Sequence, residues 1–139
     1  GQFGGGFVQD FFRNQLDPNT DPYFQRINKL AVSAHLFIER TGKIIQCVPF
    51  TKRAWHAGAS SFEGRVGCND FSIGIELEGQ DDLAYTRAQY RSLQAMIQHI
   101  QWAYPKITHD RIVGHSAVSP LRKTDPGPAF DWDFLFENL

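Results

Sequence analysis

Three observations predict an α/β fold with a mixed central β-sheet flanked by helices. The run Phe71-Ser72-Ile73-Gly74-Ile75-Glu76-Leu77-Glu78 alternates strictly, putting Phe71, Ile73, Ile75 and Leu77 on one face of a strand and Ser72, Gly74, Glu76 and Glu78 on the other. After it, Tyr90, Leu93, Met96, Ile97, Ile100, Ala103 and Tyr104 recur at helical spacing, one apolar stripe that Pro105 ends. The order helix, hairpin, strand, helix, strand, helix along the whole chain then calls for helices packed on a sheet.

Each element has its own local reason. Apolar residues at 7, 8, 11 and 12 predict a short amphipathic helix from Phe7 to Leu16, closed by the turn-rich Asp17-Pro18-Asn19-Thr20-Asp21-Pro22. Val32, Ala34, Leu36 and Ile38 share one face of a strand, with Ser33, His35 and Phe37 opposite. Thr41-Gly42 then turns the chain into a second strand, Lys43 to Val48, making a hairpin. The segment from Phe50 to Asp70 is long, glycine-bearing and expected to be functional. Thr86 and Gln89 form a capping box for the long helix, and Tyr85 and Tyr90 occupy staple positions. Arg111 to Gly114 is predicted as a short strand delivering His115, and Trp132 to Leu139 as a closing helix.

The 139 residues are enough for one domain, 1–139, and too few for two. Hydrophobic content of 42% suits a globular fold, and a net charge of −1 gives no electrostatic reason to expect nucleic acid or an anionic membrane as partner. No apolar run approaches the roughly 20 residues that span a bilayer, and no signal-peptide pattern opens the chain. Cys47 and Cys68 form neither a CxxC nor a disulfide framework, which favours a reduced, cytoplasmic setting. The glycine-rich start Gly1-Gln2-Phe3-Gly4-Gly5-Gly6 lacks a methionine, and native sequence is expected to precede it.

Chemistry-bearing residues concentrate in Gly114-His115-Ser116-Ala117-Val118-Ser119-Pro120-Leu121-Arg122-Lys123-Thr124-Asp125-Pro126-Gly127-Pro128. Asp125 precedes a proline and is expected to be extended, so Lys123 and Asp125 should share a face. A constrained loop that aims His, Lys and Asp together is more than a solvated ion pair. His115 and Asp125 are suitable zinc ligands, Glu76 a candidate general base beside the space cleared by Gly74, and Lys123 a candidate stabiliser of developing negative charge. That is every role in a metal-assisted amide hydrolysis except a third ligand. A water-facing strand would also carry Glu76 and Glu78 without any such role. His35, taken singly, is a hydrogen-bonded strand histidine. Trp55-His56 either line a cleft or cover the core edge, and His99 and His109 read as structural or solvated.

Three stretches closely resemble AmpD-type N-acetylmuramoyl-L-alanine amidases: Arg53-Ala54-Trp55-His56-Ala57-Gly58, residues 68–79, and Arg122-Lys123-Thr124-Asp125-Pro126-Gly127-Pro128. Val32-Ser33-Ala34-His35 and Val48-Pro49-Phe50 extend the match over nearly the whole chain. The resemblance implies a cytoplasmic zinc amidase of cell-wall recycling with a fold shared by peptidoglycan-recognition proteins. Such an enzyme cuts the bond between the lactyl group of 1,6-anhydro-N-acetylmuramic acid and the L-alanine of its stem peptide. By position it gives His115 and Asp125 as zinc ligands, Glu76 as catalytic carboxylate and Lys123 as oxyanion-stabilising lysine. Trp55, His35 and Arg122 are expected to meet the substrate, a small muropeptide, and a monomer is expected. The family's first ligand histidine lies on an N-terminal strand before the stretch resembling Gln2-Phe3-Gly4-Gly5, and Ala31 and Gly67 stand where arginines that hold the stem peptide are often found. The alternative function is a non-catalytic muropeptide-binding domain with an incomplete zinc site.

Overall fold

The computed structural model describes residues 6–12, 15–27, 32–137 and 139. The readings of Gly1 to Gly5 and of Ala31 lie outside these residues. Among those described, the order is α1 (Phe7–Phe12), α2 (Pro22–Ile27), β1 (Leu36–Ile38), β2 (Ile44–Gln46), β3 (Ser61–Phe62), β4 (Arg65–Val66), β5 (Ile75–Leu77), α3 (Arg87–Ala103), α4 (His115–Val118) and α5 (Trp132–Phe136). The main sheet runs β2-β1-β5, antiparallel between β1 and β2 and parallel between β1 and β5. It is the mixed sheet with flanking helices that the pattern predicts. The register sets Phe37 beside Glu76, so the candidate base sits next to the middle strand.

The strands are shorter than the alternation suggests, and β1 is covered on both faces. Ala34, Leu36 and Ile38 are buried, but so are Ser33, His35 and Phe37 on the face expected to be polar. Parallel pairing to β5 explains this, because a strand with neighbours on both edges and layers on both faces has no wet side. The helix α2 was not expected. It starts at Pro22, whose missing N–H costs nothing in a first turn, and Phe24 packs its ring 5.1 Å from that of Phe7.

α3 is fixed at its start as read. Thr86 accepts from the Gln89 N–H while Gln89 accepts from the Thr86 N–H. The fully buried Gln89 amide also donates to the carbonyls of Ile38 and Glu78, tying the helix to β1 and to the end of β5. Tyr90, Leu93 and Ile97 then pack with Ile38, Phe130 and Leu135 as the core.

Arg111 to Gly114 is not a strand. His109–Arg111 is a single 3-10 turn, the chain beyond it makes no ladder, and His115 opens the one-turn helix α4. Two apolar residues before a glycine are too short to hold a ladder without a partner, and Val113 is 40% exposed.

Leu121 has a φ of 69° and a relative exposure of 108%. A left-handed leucine costs about 1 kcal/mol, and this one has no burial to offset it. Leu121→Asn should therefore raise stability by about 1 kcal/mol in thermal unfolding; an unchanged or lowered midpoint would count against the strain.

Candidate active site

β5, α4, the loop after α4 and the loop that carries His56 converge on one cleft of about 460 Å³, lined among others by His56, Gly74, Glu76, His115 and Asp125. β5 contributes Glu76. His115 comes from the first residue of α4. The loop after α4 contributes Asp125, whose bond to Pro126 is cis, and its backbone carbonyl accepts from the Ser116 N–H at 3.0 Å, so this loop is bound to the helix start it faces. Ile75 and Leu77 of β5, with Leu93, Ile97 and Trp132, also line the cleft.

His115 Nδ1 and Asp125 Oδ2 are 2.9 Å apart. Behind the ring, Nε2 lies 3.1 Å from the Ala57 carbonyl. An imidazole nitrogen and a carboxylate oxygen are zinc-type donors, and a backbone carbonyl behind the ring is the partner that ligating histidines commonly use. These two residues fit two positions of a zinc site. Among the described residues no group of three or more His, Cys, Asp or Glu side chains is close enough together to hold a metal ion.

Burial pushes the Asp125 carboxyl up, but the hydrogen bond and charge of His115, with help from Lys123, outweigh it and hold it below its ordinary value. Glu76 is moved the other way. Burial first, then the Asp125 charge, raises its carboxyl to about 7, against the smaller pull of His115 and Lys123. Two carboxyls in one cleft with opposite shifts have separate jobs available: Asp125 stays an anion, and Glu76 takes and returns a proton near neutrality. Lys123 is exposed, and its charge reaches both carboxyls.

Three residues expected at the substrate are not among those lining this cleft. His35 is 1% exposed; its Nδ1 accepts from the Gly74 N–H at 3.0 Å, and Nε2 therefore donates to the Lys52 carbonyl at 3.0 Å. It holds the backbone of the cleft floor and does not face the cleft. Arg122 is committed to protein, donating to the Ala57 carbonyl at 2.6 Å and to the Ser119 hydroxyl at 2.8 Å. Trp55 is 52% exposed with the Arg53 guanidinium 3.8 Å over its ring, outside the cleft lining.

His56 is the residue that sequence reasoning left open. Its ring lies so close over Gly74 that a Cβ there would come within 2.3 Å of Cγ, and its buried Nε2 has no hydrogen-bond partner among the described residues. Burial first, then the charges of His35 and His115, lower it to about 4. In the unfolded chain it titrates near 6.5, so the folded state binds fewer protons between those values. Stability is then full above pH 6.5 and is lost as pH falls toward 4. The stability difference between the protein and its His56→Gln variant should shift by roughly 3 kcal/mol in the variant's favour over that window. A pH-independent difference in chemical denaturation would refute the burial of a neutral ring.

The profile described as N-acetylmuramoyl-L-alanine amidase matches residues 8–128. The chain belongs to that family. This amidase is 59% identical over 132 residues to the 1,6-anhydro-N-acetylmuramyl-L-alanine amidase AmpD of Haemophilus influenzae, covering 95% of this chain and 72% of the relative. To AmpD of Escherichia coli it is 54% identical, with the same coverage. A crystal structure of a selenomethionine AmpD superposes with a TM-score of 0.96 at 52% identity, over 100% of this chain and 77% of that one. The Escherichia coli amidase AmiD, solved with anhydro-N-acetylmuramic acid-L-Ala-D-gamma-Glu-L-Lys, gives 0.72 at 34% identity, over 77% of this chain and 48% of that one. No helix among the described residues is long and apolar enough to cross a membrane.

Proposed function

We propose that this amidase is zinc-dependent and hydrolyses the amide between the lactyl group of 1,6-anhydro-N-acetylmuramic acid and L-alanine of the stem peptide, in the cytoplasm, as a monomeric single domain serving peptidoglycan recycling. The observation that carries the reading is the pair of convergent donors, His115 and Asp125, beside a carboxyl raised to about 7. The names of the relatives above and the muropeptide bound to AmiD support the substrate, and a proton-exchanging carboxyl beside paired donors suits cleavage of an amide.

His115 and Asp125 would hold the ion. When bound, zinc supplies Lewis-acid polarisation of the scissile carbonyl and acidifies water. Glu76 accepts a proton from the water as its oxygen bonds the carbonyl carbon. The carbonyl π electrons move onto oxygen, where the Lys123 ammonium stabilises the charge. As the C–N bond breaks, Glu76 returns the proton to the alanine nitrogen, leaving an acid and a free amine. A carboxyl near 7 suits both halves of that exchange.

Turnover of anhydromuramyl tripeptide should disappear on dialysis against a chelator and return with added zinc. Undiminished turnover after chelation would overturn the zinc dependence. Release of a product other than the free-amine peptide would overturn the bond assignment.

A further inference from the structure

We propose that Asn69 is a positioning residue for His115, acting through the Ala57 carbonyl; this rests on the reading of His115 as a zinc ligand. Asn69 is 6% exposed and lies in the 3-10 turn Cys68–Asp70, before β5. Its single Oδ1 accepts two consecutive backbone N–H groups, from His56 at 3.0 Å and from Ala57 at 2.7 Å. The segment it grips is an irregular loop. Another backbone tie lies one residue back, where Trp55 exchanges bonds with Ser33.

Both N–H groups are pinned just before the Ala57 carbonyl, which points at His115. There it lies 3.1 Å from Nε2, and Arg122 Nη2 steadies the same oxygen at 2.6 Å. A metal on Nδ1 requires the ring proton on Nε2, and a fixed acceptor opposite Nε2 selects that tautomer and the ring orientation together. Arg122 alone does not suffice, because its Nη2 is also 3.3 Å from Nε2 itself and, as a donor, would favour the unprotonated nitrogen. The direction of the carbonyl decides between them, and Asn69 contributes to it by fixing the two peptide planes that lead into Ala57.

The test compares the full chain with Asn69→Asp, Asn69→Leu and Asn69→Ser. Apparent zinc affinity is read by competition with a chromophoric chelator, and the His115 ring nitrogens by 15N NMR at saturating zinc. Asn69→Asp keeps an acceptor and should stay within about threefold of the parent with Nε2–H retained. Asn69→Leu should weaken zinc by about 10- to 100-fold and lose the protected Nε2–H signal. If Asn69→Leu does not fold, Asn69→Ser, whose shorter hydroxyl reaches at most one N–H, decides by the same readouts. A folded Leu or Ser variant with parental affinity and Nε2–H signal overturns the proposal, as does an Asp variant no better than Leu. His115→Ala separates the two claims: parental zinc affinity in that variant would remove His115 as a ligand, whatever Asn69 does.

Discussion

Glu76→Gln should abolish turnover and, in the metal-free protein, raise stability at neutral pH. The first effect follows from the proposed proton transfer, since an amide neither takes a proton from water nor returns one to the leaving nitrogen; a loss of at least about 100-fold is expected. The second follows from linkage. Glu76 is raised to about 7 in the fold against 4.5 in the free group, so the folded state holds the proton more tightly between those values. Its contribution is fully present below pH 4.5 and is lost as pH rises through about 7. By pH 8 the ionised carboxyl costs roughly 3 kcal/mol that glutamine does not incur. Denaturant unfolding at pH 4 and pH 8, alongside peptide release, checks both. Retained turnover would remove Glu76 as the base, and an equal stability change at both pH values would remove its elevated pKa.

The opposed slopes of Glu76 and His56 illustrate a cost built into such a cleft. A carboxyl raised by burial and a histidine lowered by burial are both groups the fold holds against their solvent preference. Between pH 4.5 and 6.5 their contributions run in opposite directions, so the parent protein should vary less with pH than either single variant.

Local signals were the legible ones. The Thr86–Gln89 capping box and the α3 stripe were readable because both partners lie within a turn or two of each other. The convergence of His115 with Asp125 was readable because ten residues of constrained chain separate them. What was not legible depended on distant partners. His35 Nδ1 is taken by the Gly74 N–H, 39 residues away, and Arg122 donates to the Ala57 carbonyl, 65 away. Ile112 and Val113 looked like a strand, but a strand exists only where a neighbour supplies a ladder. For His56 the usable clue was Gly74, whose missing Cβ leaves the ring its space; nothing in sequence spacing says which ring fills it.

Gly127→Ala should be the most damaging single substitution outside the chemistry. Gly127 has a φ of 78°, and an added Cβ would come within 2.4 Å of both Cα and O of Asp81. Those are backbone atoms, so no side-chain rotation relieves the clash. Around the contact, Thr124 donates to the Asp81 carboxylate, the Ala129 N–H to the Asp81 carbonyl at 3.1 Å, and the Tyr85 hydroxyl to the Pro126 carbonyl at 3.1 Å. Separating the two loops strains all three bonds and moves Asp125, two residues away, relative to His115. The left-handed conformation alone accounts for about 1 kcal/mol of the cost, and overpacking against backbone adds about 1–3 more. Gly64→Ala provides the contrast, because Gly64 has a φ of 79° with nothing within 4 Å of its would-be Cβ. It should lose only the first part and keep parental zinc affinity and turnover, whereas Gly127→Ala should lose several kcal/mol and most of both. Equal destabilisation of the two would mean that backbone conformation, not the brace against Asp81, governs this loop.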